Sequence, residues 1–338
     1  MRIIVKLLLV MFVLGLVMAT AAVLMGLNIQ GLSDFFNDDE SYGEEIVYVQ
    51  NDLIDGIHLS SETRNVILSA TEDDFITIRY YAQEKDTWTI SETGGVLSII
   101  QEQKTEFFRF INFKTASSEV RTIYIEVPET WVLDLTLKSN VGTMRLEFDD
   151  VVYHKALSIE SNTGRVYLKK LNVDSVDIKL NTGSSSLIDV MIENDLVINT
   201  DTGTIHVDNV GVNDVAVKSS TGNIRLQNLT AFNVTANNDT GRITSENVLA
   251  SGDLSYKTTT GRITMEKTTA NSYDLRATTG DIIITVESLS EMKLDLKATI
   301  GKIMVAGANQ GNSHVTSTGS VSITARVTTG NITINVQD

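Results

Sequence analysis

The amino-acid sequence predicts an all-β protein. The expected architecture is a single-chain β-solenoid, or β-helix, of about ten rungs with Thr-Gly corners, preceded by one N-terminal transmembrane helix. Three observations carry this. Glycines recur at intervals of 18 to 22 residues from Gly142 to Gly319, the mark of a repeat architecture. Around them, apolar and polar residues alternate in steps of two, the period of a strand. Near the N-terminus, one uncharged apolar run is long enough to cross a bilayer.

Residues 1–6 carry Arg2 and Lys6 and read as a cytoplasmic stub. The 21 residues from Leu7 to Leu27 hold no charge. At a helical rise of 1.5 Å per residue they reach about 30 Å, the thickness of the hydrocarbon core. A cleaved signal peptide is the competing reading, because Ala19-Thr20-Ala21 has the small-x-small look of a cleavage site. The apolar run continues through Val23, Leu24, Met25 and Leu27. That exceeds the roughly 7–15 residues of a signal core and favours an uncleaved anchor. Acidic residues (Asp34, Asp38, Asp39, Glu40, Glu44, Glu45) follow the run, opposite the basic flank. The positive-inside rule then leaves the N-terminus in the cytoplasm. The expected location is the cell membrane, single-pass, with the C-terminal domain extracytoplasmic. Residues 28–45 read as an acidic linker, extended by self-repulsion.

Residues 46–137 are β without the Thr-Gly period. Ile46–Val49, Val66–Leu68, Phe75–Tyr80, Trp88–Ile90, Val96–Ile99 and Thr122–Val127 read as strands. Terminal units of a repeat array are atypical because they cap an open end, so this region is expected to form the first rungs and a cap. Within it, Phe107, Phe108, Phe110 and Phe113 fall in seven residues. The expected role is to plug the open end of the solenoid. Phe108 and Phe110 are also candidates for a membrane-surface or partner contact.

Residues 138–338 form the repeat. The corner glycines are Gly142, Gly164, Gly183, Gly203, Gly222, Gly241, Gly261, Gly280, Gly301, Gly319 and Gly330. All but Gly142 and Gly301 follow a threonine. Two residues before each stands Asn, Asp, Ser or Thr; two and four after, the residue is nearly always apolar. Each unit is therefore strand, Thr-Gly corner, strand, short turn. Glycine tolerates the positive φ of a corner without a Cβ penalty. Stacked Asn, Asp and Thr side chains are expected to hydrogen-bond along columns. The last gap, 11 residues from Gly319 to Gly330, reads as a terminal variant of the period.

Composition narrows function. The chain holds 43 acidic and 27 basic residues, a net charge of −16. That excludes a general nucleic-acid binder, which needs a basic face. There is no cysteine, and the 4 histidines are isolated in sequence. Thiolate chemistry is excluded, and neither a metal site nor a cofactor is called for. Adjacent acids such as Asp73-Asp74 and Asp149-Asp150 point to opposite faces of a strand and suit turns better than acid–base pairs. Arg242 and Arg262 follow consecutive corner glycines and would stack, making them candidates for contact with an anionic glycan.

The order of these features carries a resemblance. An early "GGVLSI" (Gly94–Ile99) precedes "IYIEVPETWVLDLTLKSNVGTMRLE" (Ile123–Glu147), with the chain's one proline at Pro128, and then serial "TGxI" repeats. Residues 46–338 so arranged resemble the bacterial putative-adhesin family, domain of unknown function 4097, with its LiaG-like membrane proteins. The insertion at 102–118 departs from the plain pattern. The resemblance implies a β-solenoid without known catalytic residues, often with an N-terminal anchor, sometimes beside envelope-stress systems. The expected function is a membrane-anchored binding or structural module of the cell envelope, taking a glycan or protein ligand. The alternative is an accessory or sensor subunit of an envelope-stress system. A polysaccharide-acting enzyme ranks last, because no acid–base constellation is present.

Overall fold

In the computed structural model, residues 39–103 and 116–337 are described, and the repeat winds into two parallel ladders. Each coil gives one strand before its corner glycine and one after it. The first ladder contains Asp195–Thr202, Asp214–Thr221, Asn233–Thr240, Asp253–Thr260 and Ser272–Thr279, parallel and in register. The second contains Ile205–Gly211, Ile224–Ala231, Ile243–Ala250, Ile263–Thr269 and Ile282–Val286. The coils of Gly142, Gly164 and Gly183 run without interruption through the extended segment Asp134–Ile192.

Alternation explains the packing. In the Gly203 coil, Leu196, Ile198, Ile205, Val207 and Val210 all point inward and are buried. Each such side chain contributes about 1.5–3 kcal/mol relative to exposure. No coil can enclose its own apolar side, so stacking supplies the burial. A continuous core of this kind runs from Ile54 to Ile334.

Both ends of the stack depart from sequence order. After Ser272–Thr279 the next strand in space is Val321–Thr329, and Met292–Ile300 lies beyond it. The second ladder does the same: Ile332–Val336 sits between Ile282–Val286 and Ile303–Val305. The 11-residue gap is therefore not a short final repeat. The chain leaves the ladder after Val305, runs Ser313–Val315 antiparallel along Met292–Ile300, and inserts its last coil between two earlier ones. Gly319 belongs to that return. It lies against the backbone of Glu291–Lys293 and outside the column of corner glycines, contrary to the sequence expectation.

The N-terminal end mirrors this. Gly56–Ser61 and Asn65–Thr71 lie inside, next to the coil of Gly142. Val96–Gln103 and Thr122–Pro128 follow later in sequence but stack outside them. Three antiparallel strands close the end: Asp86–Thr93 on one ladder, Ile76–Gln83 and then Tyr42–Gln50 on the other. A strand added antiparallel breaks the coil path and blunts an edge that could recruit other chains. The strand Tyr42–Gln50 starts within the acidic stretch read as linker. Its Glu45 lies 4.0 Å from Arg79 of the neighbouring strand, which gives that carboxylate a partner in the sheet.

Residues 7–27 and the cluster Phe107–Phe113, with Phe108 and Phe110, lie outside the described residues. Among the described residues no helix is long and apolar enough to cross a membrane.

The interior holds a buried histidine. His154, in the long gap between Gly142 and Gly164, is fully enclosed, and neither ring nitrogen has a hydrogen-bond partner. Its ring lies 5.9 Å from that of Phe148. Burial pushes its pKa down to about 4. In the unfolded chain a histidine titrates near 6.5, so the unfolded state takes up the proton first. The stability due to neutral His154 is complete above about pH 7 and drains as pH falls from about 6.5 to 4, by about 3 kcal/mol in all. We expect His154→Leu to lose less stability than the natural chain between pH 7 and pH 4.5 in urea unfolding. Parallel losses in the two proteins would remove His154 as a cause of acid sensitivity.

Candidate functional site

The corner is a column of glycines. Gly142, Gly164, Gly183, Gly203, Gly222, Gly241, Gly261, Gly280, Gly330 and Gly301 stack in that spatial order. A Cβ on Gly203 would stand 1.4 Å from the Gly183 carbonyl oxygen, and one on Gly241 would stand 1.7 Å from that of Gly222. The sequence argument from positive φ is therefore half of the reason. Gly203 and Gly241 have φ of 153° and 142°, but close approach between coils excludes a side chain outright. Backbone hydrogen bonds run through the corner: Gly203 N donates to Thr221 O at 2.8 Å, and Gly222 N donates to Thr240 O at 2.9 Å.

The result is a shallow groove with a peptide floor. In one stretch Thr260 and Thr279 form one wall, and Asn223, Arg242, Arg262 and Asp281 form the other. A second stretch is lined by Thr163, Thr182, Thr202, Arg165 and Ser184. Polar columns continue from coil to coil. Asn162 Nδ2 donates to Asn140 Oδ1 at 2.7 Å, and Asn181 Nδ2 to Asn162 Oδ1 at 2.8 Å. These are the stacked amides expected from the sequence. Asn223 Oδ1 accepts from Arg242 N at 3.0 Å, and Asp281 Oδ1 accepts from Asn331 N at 3.0 Å.

Arg242 and Arg262 do come together on this wall, in adjacent coils. Arg262 reaches Asp281 at 3.1 Å, while Arg242 has no ion-pair partner among the described residues. Asp281 is held below the usual carboxylate range, first by the Asn331 backbone N–H and then by Arg262, so it stays ionised. Glu147, on the outer face of the Gly142 coil, is likewise lowered by its hydrogen bond from Lys169. His206 Nε2 lies 3.3 Å from Gln227 Oε1, and Ser185 is buried in a slot usually apolar. No group of acids and histidines among the described residues is placed to hold a metal ion.

The family profile of Toastrack DUF4097 matches residues 54–231 and 211–338, which is most of the chain. The chain belongs to the Toastrack family. None of the curated proteins matches it. Among solved structures, a putative adhesin from Bacteroides fragilis is similar at 13% identity, covering 87% of this chain and 98% of that one, with a TM-score of 0.41. A putative cell adhesion protein from Clostridium sporogenes is similar at 9% identity, covering 87% and 99%, with a TM-score of 0.21.

Two features of this Toastrack chain escaped the sequence reading. The first is a second corner, six residues after the glycine. Asn209, Asn228 and Asn247 hold φ of 53°, 45° and 54° there. Asparagine tolerates this left-handed geometry better than most residues. Asn247 Nδ2 also donates to Asn228 Oδ1 at 2.7 Å, extending the ladder. The recurrence of Asn at a fixed offset was the available signal. The second is a file of cations four residues before the glycine, on the outer face of the first ladder.

Proposed function

We propose that the chain is a membrane-anchored, extracytoplasmic β-rod of the bacterial cell envelope that binds a ligand and does not catalyse. The ligand is a wall glycan or another envelope protein. The observation that supports this reading is the groove, whose peptide floor and walls of hydroxyl, amide and guanidinium groups repeat with the coils. A surface with one period suits an extended partner laid along it, as repeat proteins use their long faces. Its ionised Asp281 has Arg262 and a backbone N–H as partners, which suits positioning rather than proton transfer. Leu7–Leu27 supports the anchor, and the basic residues before it support an external rod.

Two measurements test the reading. The full chain should stay in the membrane pellet after carbonate washing, with residues beyond 28 open to external protease. A mature N-terminus at Ala22 or Val23 would overturn the anchor. Purified cell-wall fragments, or a protein captured from detergent-solubilised membranes, should retain the full chain. Replacing Arg242 and Arg262 together by alanine should lower the retained fraction several-fold. Release of glycan fragments into the medium would favour an enzyme instead.

A further inference from the structure

The residue four positions before each corner glycine faces outward on the first ladder, and in-register stacking sets these residues in one file. Lys179, Lys218 and Lys257 occupy alternate coils, with Asn199 and Asn237 between them. Lys257, Arg276, Arg326 and Lys297 then follow on consecutive coils. The out-of-order insertion of the last coil makes this run unbroken, because it places Arg326 between Arg276 and Lys297. At a strand spacing of about 4.8 Å, the four consecutive cations span about 15 Å and the whole file about 34 Å. No acid stands in this file from Lys179 onward, although the chain has 43 acids against 27 bases.

Acids flank the file but do not neutralise it. Asp177 pairs with Lys179 at 2.7 Å. Asp274 is shared between Lys257 at 3.5 Å and Arg276 at 2.9 Å, and Asp295 pairs with Arg326. Lys218 and Lys297 have no ion-pair partner among the described residues, and both are exposed. The four consecutive cations thus face two aspartates. The pairs of Lys179, Lys257 and Arg276 are largely open to solvent, hence weak, and an incoming anion can replace them, whereas Arg326 is half-buried and also donates to the Asp295 and Ala325 carbonyl oxygens. On the other flank Thr259, Thr278, Thr328 and Thr299 expose hydroxyls that can donate to an anion.

We infer that this file binds a linear polyanion laid along the rod, its repeating phosphate or carboxylate groups taken by successive cations. The inference rests on the reading of the chain as an envelope-binding rod and names the chemical class of its ligand. The file is one residue wide, and its flanks over the last four coils are Ser255, Asp274, Thr324, Asp295 and the threonines. A line of charge flanked along the four coils by hydroxyl and carboxylate groups, with exposed Val315 beside Asp295 at its Lys297 end, fits a polymer. A bilayer surface is met by a broad basic field with apolar side chains beneath it.

The test uses the full chain in detergent with three probes: long-chain polyphosphate, polygalacturonate, and phosphatidylglycerol vesicles. At least one polymer should bind, with affinity falling linearly in the logarithm of salt concentration. The variant Lys257→Gln/Arg276→Gln/Arg326→Gln/Lys297→Gln should lose at least tenfold in affinity and about three units of salt slope, as four lost charge contacts require. Far-ultraviolet circular dichroism and the melting point confirm that this surface variant is folded, and Arg145→Gln/Lys169→Gln on the other ladder should bind normally. Polyphosphate and polygalacturonate distinguish a phosphate from a carboxylate ligand. Binding to vesicles alone, to neither polymer, or equally by the quadruple variant would overturn the inference. If that variant still sediments with wall fragments as the natural chain does, wall binding stands and this inference falls. If the natural chain binds the polymer but not walls, the reverse holds.

Discussion

Replacing Gly222 by alanine is expected to destabilise the rod by about 4 kcal/mol, the upper end of what single substitutions do. Two costs combine. Gly222 sits at φ 147°, a conformation that costs a side-chain-bearing residue about 1–3 kcal/mol. Its Cβ would also stand 1.8 Å from the Gly203 carbonyl oxygen, a backbone atom that cannot swing aside. Relief requires the coils of Gly203 and Gly222 to part, which stretches the hydrogen bonds from Gly203 N to Thr221 O and from Ile205 N to Asn223 O. Valine at the same place should be at least as damaging. The proper comparison is Thr221→Ser, next in the chain and exposed, which should stay within about 0.5 kcal/mol. Asn223→Ser is not neutral, because the Asn223 side chain accepts from Arg242 N. Denaturant midpoints decide the matter, and equal midpoints for Gly222→Ala and Thr221→Ser would show that the corner tolerates a Cβ.

The glycine column shows how far local sequence reaches. Strand, corner and inward face were legible because each depends on residues within one coil: Leu196 and Ile198 before Gly203, Ile205 and Val207 after it. The order of coils was not. Ser317-Thr318-Gly319 and Thr328-Thr329-Gly330 look alike as local signals, yet Gly330 alone joins the column. What separates them is where the whole strand Val321–Thr329 pairs, a long-range choice between two neighbouring coils. The candidate site divides the same way. Arg242 and Arg262 stand beside the motif glycine and were visible at once. Lys179, Lys218, Lys257, Arg276, Lys297 and Arg326 share an offset of four from a corner glycine, so their pattern is in the sequence too. It becomes a continuous file only when the last coil is known to lie second from the end.

Exchanging Arg64 for methionine should cost about 3–5 kcal/mol, the loss expected when one partner of a buried ion pair is removed. Arg64 and Asp86 are paired at the N-terminal end of the rod, with side chains 1% and 0% exposed. The aspartate also accepts from Gln83 N at 3.0 Å, Gln101 Nε2 at 3.1 Å and Gln103 Nε2 at 3.3 Å. The guanidinium donates to Val120 O at 3.2 Å and lies 4.7 Å from the centre of the Tyr42 ring. One ion pair therefore ties together Tyr42–Gln50, Asp86–Thr93, Val96–Gln103 and the turn before Thr122–Pro128. It also sits at the head of the glycine column, because the Arg64 carbonyl oxygen fills the space that a Cβ on Gly142 would need. Methionine keeps the apolar stem and its packing on Tyr42 but strands the Asp86 charge out of water. The pair as a unit is a different matter, since desolvating two charges offsets most of their attraction. Arg64→Met/Asp86→Leu should consequently cost less than the sum of the two single changes, a coupling that a double-mutant cycle measures directly. The cost should also be local in its first effect, opening the capping strands to protease before the coils from Gly164 onward. A single Arg64→Met variant within about 1 kcal/mol of the natural chain, or strict additivity in the cycle, would show that the end of the rod is held by its apolar contacts and not by this pair.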